Sequence, residues 1–592
     1  MTAPHDIERL LGTGRFDPPP DLRRGACFDD EASYLAFIEA AASDPDSFWM
    51  RMAGEIDWID MPARAGGAPR WFPGGRLNLA ATCLGRGAPA DVLLSGVRSS
   101  SEWMTRGDLL GCVGALCEML SAWSLPLGAP VLIAFPRGAE ILPASLACLW
   151  RGWICVPVDP DRADPGRVSR RAQAAGCRAV LTSRSVVDAG HLPGDLPSPR
   201  LALSPDWTAL RSEPPPAEAV DAMHPAFMLA DSAGRLYSLP CAGFAVQALS
   251  SYRYLLDGRG EKDLHWLQMA SHHASFLAGS LGAWLGGGRV VVPPGGDLQD
   301  LSAWLDAIGR TSPRVVVIQA GELEKLLMDG SGSAQRGPAL IVLEGDAVSP
   351  GLYRQARDLF EGRTHVVQAI SRPEGGGYLV GPQPGAVSVQ PASAGLAAPG
   401  VGLIIVDEEG KTCPPGYGGR AALRRPLPGL AIELQEHEPP IQIGLHARVD
   451  PAGCVWSMGE GKVARTKART PVATAELETM IASLDGVQQV AVVRHEAPGG
   501  PGRAWAFVQP APDARLEAKH IGAQIADRFG REAVPESIQL VSQLPFSRTG
   551  KVLRSVLRRI ASGDASGLGD LEVGDREVIQ RLIGECQDEN SG

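Results

Sequence analysis

The chain has 592 residues, 44% hydrophobic and 21% charged, with a formal net charge of −11. That length exceeds what one hydrophobic core serves, so a large region plus at least one smaller domain is expected. The acidic balance argues against nucleic acid or an anionic membrane as the main partner, and no uninterrupted apolar stretch is long enough to span a bilayer.

The start, Met1 to Gly12, carries Asp6, Glu8 and Arg9 without a long apolar run, so it does not read as a secretory signal. The eleven cysteines form no C-x-x-C pair, so neither a zinc site nor a disulfide framework is indicated. A reduced, cytoplasmic setting is the expectation. In chain order, Val131–Phe135, Ile154–Val158, Ala179–Thr182, Arg314–Ile318, Leu340–Leu343 and His365–Gln368 predict buried strands. Helix-like stretches such as Arg106–Trp123 and Ala139–Trp150 lie between some of them, which points to α/β layers with largely parallel sheets. The run Glu213, Pro214, Pro215 and Pro216 cannot continue a helix.

Beyond about Gly400 the texture changes. Leu403–Val406, Arg420–Arg424 and Ala431–Leu434 predict strands of a β-rich subdomain. A final unit starts near Gly459. It has predicted helices at Thr474–Leu484 and Ala518–Phe529 and strands at Gln488–Val493 and Ala504–Gln509, and it is separate enough to be a small mobile domain.

Several strings carry a resemblance. Tyr34, Phe48-Trp49, Trp58 and Trp71-Phe72-Pro73-Gly74-Gly75-Arg76-Leu77-Asn78 come first. Leu146-Ala147-Cys148, Gly152, Arg171 and Val180-Leu181-Thr182 follow. Trp456, Gly459, Thr474–Glu478 and Leu544-Pro545-Phe546-Ser547-Arg548-Thr549-Gly550-Lys551-Val552-Leu553-Arg554 close the series. From about Tyr34 to Ile583 the chain resembles the AMP-forming acyl-CoA synthetases, most of all acetyl-CoA synthetase. The resemblance implies an adenylate-forming fold with four parts. These are an N-terminal segment over residues 1–80, a large AMP-binding-type domain over 81–458 with stacked α/β layers and a β-rich subdomain, a small mobile α+β domain over 459–565, and a tail over 566–592.

Such ligases join a carboxylate to the α-phosphate of ATP, then pass the acyl group to CoA. The first step needs donors aimed at phosphate, often with Mg²⁺. The family supplies a flexible Ser/Thr/Gly loop ending in Lys, whose backbone N–H groups and hydroxyls cradle the phosphates. The matching stretch here is Asp231-Ser232-Ala233-Gly234-Arg235-Leu236-Tyr237-Ser238-Leu239. Only Ser232 and Gly234 suit a phosphate nest, Arg235 could partly compensate, and Asp231 has the wrong sign. The bland alternative is a turn between two elements.

The family's adenine and Mg²⁺ segment falls on Ile370-Ser371-Arg372-Pro373-Glu374-Gly375-Gly376-Gly377. Arg372 and Pro373 stand where a Thr and a Glu belong. Glu374 comes one position late, as a displaced metal-associated carboxylate or a solvated turn residue. The ribose-binding Asp falls on Leu445, which can accept no hydrogen bond. The family's Gly-Arg and hinge Asp become Gly459-Glu460 and Lys462 or Val463. Arg469 replaces a glycine that would let the backbone approach CoA. Lys551 is retained in its whole loop and would be the catalytic lysine of an active ligase. Arg171, or Arg184, is a candidate for CoA phosphates, with a surface or helix-end cation as the bland alternative. His272-His273 reads as a structural pair.

Three readings follow. One is a pseudoenzyme, with adenylation lost and a role as an acyl- or CoA-binding or protein-binding regulatory subunit. The second is a short-chain acyl-CoA ligase with a divergent ATP site, for which ATP, Mg²⁺ and CoA are the implied cofactors. The third is an ATP-independent acyl transferase. Each charge-assisted nucleotide contact is worth roughly 1.5–3 kcal/mol, and compensation at every lost position is improbable, which favours the first.

Overall fold

Two sheets built from Val-, Ile- and Leu-rich runs organise the chain, because strands buried on both faces need apolar side chains on both. The computed structural model describes residues 15–96, 103–160, 165–459, 474–495, 503–545, 552–562 and parts of 578–585, apart from residues 232, 262, 294–299, 329–333, 335, 346–347, 349, 392, 483, 513 and 530. A six-stranded sheet runs in the order Leu236–Pro240, Pro225–Ala230, Ile154–Val158, Pro130–Ala134, Ala179–Ser183, Arg200–Leu203, parallel except for its first hairpin. An eight-stranded sheet runs Gly377–Val380, His365–Arg372, Leu340–Glu344, Val315–Gln319, Leu264–Gln268, Arg289–Val291, Val92–Ser95, Trp103–Thr105. It is parallel except at its two edges.

The helices Cys241–Tyr254 and Ala274–Leu285 pack on each other and are buried almost throughout. Gly282 permits their close approach, since a Cβ there would stand 2.3 Å from the Ala248 carbonyl oxygen. Next come an antiparallel four-stranded sheet (Leu403–Val406, Gly418–Leu423, Ile441–Val449, Val455–Gly459) and a three-stranded one (Val487–His495, Arg503–Pro510, Ser537–Leu540). The last sheet buries Val492, Ala506 and Val508 against Leu477, Ile481, Ile521 and Ile525 of its two helices.

The N-terminal segment is part of the body. The Asn78 amide donates to the Leu149, Trp150 and Glu218 carbonyls. Trp71 Nε1 donates to Gln435 Oε1 at 3.1 Å, and Gln435 Nε2 in turn donates to the carbonyls of Leu427 and Leu430.

The predicted strands are present to within a few residues, with one correction. Ala431–Leu434 is not a strand: Ile432–Leu434 is a 3₁₀ turn. Its N–H groups are spent elsewhere, Ala431 N–H on the Glu374 carbonyl and Leu434 N–H on the Ala431 carbonyl. The helix expected over Arg106–Trp123 is capped by a Thr105–Asp108 box and ends at Leu120, followed by a 3₁₀ turn to Trp123 and Ser124 at φ +48°. No helix among the described residues is long and apolar enough to cross a membrane.

Candidate functional site

The hairpin between Pro225–Ala230 and Leu236–Pro240 contains the stretch aligned with the phosphate loop. It closes on itself. Asp231 Oδ1 accepts from the Arg235 backbone N–H at 2.9 Å, and Oδ2 accepts from Arg235 Nε at 2.7 Å and from the Tyr237 hydroxyl at 3.3 Å. Gly234 takes φ +84°, as a tight turn requires. Arg235 is exposed, but its charge is engaged by the buried Asp231, which raises the guanidinium pKa. Ser232 lies outside the described residues. Burial, then the carboxylates of Glu374 and Asp231, push the Tyr237 phenol up to about 12. Glu433 accepts the Ser238 N–H with both oxygens.

Facing this hairpin is the turn after His365–Arg372. Gly376 sits at φ +76°, and a Cβ there would stand 2.1 Å from the Gly429 carbonyl oxygen, so only glycine fits. The Gly375 carbonyl accepts from Gln247 Nε2 at 2.6 Å, which commits it to the fold. Glu374 is corrected on one point. It is not a solvated turn residue: it is 2% exposed and accepts from Arg372 Nε at 3.1 Å through Oε1. Its other oxygen, Oε2, is buried without a hydrogen-bond partner. Arg372 Nη2 also donates to the Gly444 carbonyl at 2.8 Å. Leu445, beside it in the strand Ile441–Val449, is 1% exposed.

The two places where the resemblance expects adenine and ribose contacts are therefore joined by an internal arginine. Carboxylates at Asp231, Glu374 and Glu433 stand around that cleft, and its cations Arg235 and Arg372 each already hold a carboxylate. A triphosphate needs free cations and N–H groups, and among the described residues neither of these two arginines offers a free charge. Among the described residues no three His, Cys, Asp or Glu side chains are grouped to hold a metal.

Arg171 is the second correction. It is not a surface cation: it stands in the last turn of the helix Pro165–Ala174 but is buried, with Nη1 3.4 Å from the Pro157 carbonyl. Burial, with repulsion from Arg167, lowers its pKa to about 10. Arg184 is exposed at the start of a five-residue helix. Glu460, Lys462, Val463, Arg469 and Lys551 all lie outside the described residues.

Sequence reasoning missed a polar group at the carboxyl ends of the eight-stranded sheet. Ser371 Oγ donates to Glu344 Oε1 at 2.6 Å, and Gln319 Nε2 lies 2.9 Å from His273 Nδ1. Burial raises the pKa of Glu344, against the opposing pull of Ser371, Ser275, Gln319 and the charge of Arg372. The available signal was a carboxylate ending an apolar strand run, Leu340–Glu344.

Comparison with known proteins gives three family matches in chain order. They are the acetyl-coenzyme A synthetase N-terminus over residues 34–83, the AMP-binding enzyme family over 242–430, and the AMP-binding enzyme C-terminal domain over 476–551. An acetyl-coenzyme A synthetase from Syntrophobacter fumaroxidans is 24% identical, over 96% of this chain and 98% of its own. Acetyl-coenzyme A synthetase 2 from Pseudomonas putida is 25% identical, over 93% and 96%. Among solved structures, acetoacetyl-CoA synthetase from Streptomyces lividans superposes with a TM-score of 0.73 at 17% identity, over 97% of this chain and 99% of its own. The anthranilate CoA ligase AuaEII in complex with anthranoyl-AMP gives 0.66 at 18%, over 82% and 97%.

Proposed function

Because the chain belongs to the acetyl-CoA synthetase-like branch of the adenylate-forming enzymes, we propose that it keeps that scaffold and a small-molecule site but has lost ATP-dependent adenylation, and acts as a binding or regulatory subunit. One observation carries the proposal. Arg372 stands where the family has a nucleotide-contacting Thr, and its guanidinium is spent on Glu374 and on the Gly444 carbonyl. The place where a ribose-binding carboxylate would be expected is a buried leucine, Leu445. Restoring nucleotide affinity would require breaking a buried ion pair, at a cost of several kcal/mol. The ligands left to such a protein are acyl groups, CoA or its thioesters, and a protein partner.

The alternative is an active short-chain ligase with a divergent ATP site, favoured by the retained string Leu544–Arg554 with Lys551. Isothermal titration with Mg-ATP, beside pyrophosphate exchange on a panel of short carboxylates, separates the two. The proposal expects neither heat nor exchange. Exchange that disappears in Lys551→Ala would establish the ligase instead.

A further inference from the structure

Open α/β sheets take ligands in the crevice beyond the carboxyl ends of their strands. In the eight-stranded sheet those ends carry polar side chains in register. Gln319 pairs with Glu344 and Glu344 with Ala369, and Ser371 lies two residues beyond Ala369 on the same face. The residues two positions earlier on that face, Val317, Val342 and Ala369, are buried and apolar, so the change of character is confined to the strand ends. The helix Ala274–Leu285 starts over this row, bringing His273 against Gln319, with Ser275 and Gln319 both facing the Glu344 carboxyl. Glu344 is 8% exposed, whereas His273, Gln319 and Ser371 are half-buried. The cluster is a polar floor with a rim that solvent reaches.

An unsubstituted alkyl chain laid on this floor would strip water from a carboxyl and an amide and return no hydrogen bond. A hydroxyl or an amine would replace the lost water. We infer that the floor formed by His273, Ser275, Gln319, Glu344 and Ser371 is a binding site for a small acid or thioester whose chain carries a hydrogen-bond donor, with Glu344 as the group that recognises the donor. This rests on the small-molecule-binding half of the proposed function and holds whether or not adenylation survives.

The test uses the full chain and titration calorimetry with butanoate, 3-hydroxybutanoate and 4-aminobutanoate, and with the CoA thioesters of the first two. At least one donor-bearing compound binds about tenfold more tightly than its plain counterpart, as expected for a hydrogen bond to a carboxylate. Glu344→Gln, which keeps the shape, brings that ratio to about threefold or less, and Ser371→Ala lowers it in the same direction. A larger effect of Glu344→Gln on the amine than on the hydroxyl identifies the donor as cationic. Equal or tighter binding of the plain chains, or a preference untouched by both variants, overturns the inference and leaves the proposed function standing. Binding of none of the five compounds overturns the inference together with the binding half of that function. Pyrophosphate exchange would strike only the loss of adenylation.

Discussion

The guanidinium of Arg372 donates to the carbonyl oxygen of Gly444 at 2.8 Å, while its Nε holds Glu374. A side chain from the eight-stranded sheet thereby reaches the four-stranded sheet across the cleft between them. Gly444 is what admits it: a Cβ there would stand 2.5 Å from Arg372 Nη2. Arginine at 372 and glycine at 444 form one unit, a bond that ties the two walls of the cleft together.

Removing one partner of this pair strands the other charge in a buried place. Arg372→Met is expected to cost about 3–5 kcal/mol in urea unfolding, because Glu374 keeps its carboxylate without a counter-charge. The double variant Arg372→Met, Glu374→Leu recovers most of that loss. Equal stability of the single and double variants would show that the two side chains do not act as a pair.

A carboxylate at 445, where the resemblance expects the ribose contact, tests the proposed loss of nucleotide binding. Leu445→Asp places a carboxylate at a position 1% exposed, on a strand packed into the body. Burying that charge without a partner costs several kcal/mol, so melting temperature falls and Mg-ATP still gives no heat on titration. A stable Leu445→Asp protein that binds Mg-ATP would mean the cleft is nearer to its ancestral state than its ion pairs indicate.

The turn carrying Glu374 depends on Gly376. Gly376→Ala forces a side chain onto φ +76° and into the Gly429 carbonyl oxygen, 2.1 Å from the new Cβ. The left-handed conformation alone costs about 1–2 kcal/mol, and the clash adds to it. The variant is expected to unfold at lower urea. Its amide exchange should be faster at Ala431, whose N–H bonds the Glu374 carbonyl. Gly234→Ala, with open space around its Cβ, makes the control: it carries the left-handed strain without the clash.

The strands were legible because Val131, Ile154 and Leu340 belong to short apolar runs bounded by turn residues, and burial on both faces leaves little choice of residue type. The unusual residues of the cleft, Leu445 and Arg372, were legible as departures from the pattern that the resemblance implies. What filled the cleft was not. Glu374 read as solvated, since nothing local says that Arg372 folds back onto it and closes it off from water. Arg171 read as a surface cation, although its helical neighbours Val168 and Ala172 are buried with it against the sheet. Glu344 escaped notice because one carboxylate after Leu340–Leu343 has no motif. Its meaning comes from Gln319, Ser371 and Ser275, which the fold gathers from three other elements.

His365 gives a pH dependence whose direction follows from its surroundings. It opens the strand His365–Arg372 and is buried, and desolvation, with repulsion from Arg357 and Arg23, draws its pKa from 6.5 down to about 3. The unfolded chain binds a proton at this imidazole below about pH 6.5, whereas the folded chain does not until about pH 3. The stabilisation is therefore complete above pH 6.5 and is lost as pH falls through that window, at up to about 1.4 kcal/mol per pH unit. Burial lowers His224 and His446 in the same sense, so they add to the slope. Between pH 6.5 and 4.5 most carboxylates stay ionised, and histidines dominate the change. Urea unfolding across that range should show His365→Gln with a shallower loss than the parent chain, whatever its stability at pH 7. Parallel curves would mean that the imidazole at 365 takes up its proton in the folded protein as readily as in the unfolded one.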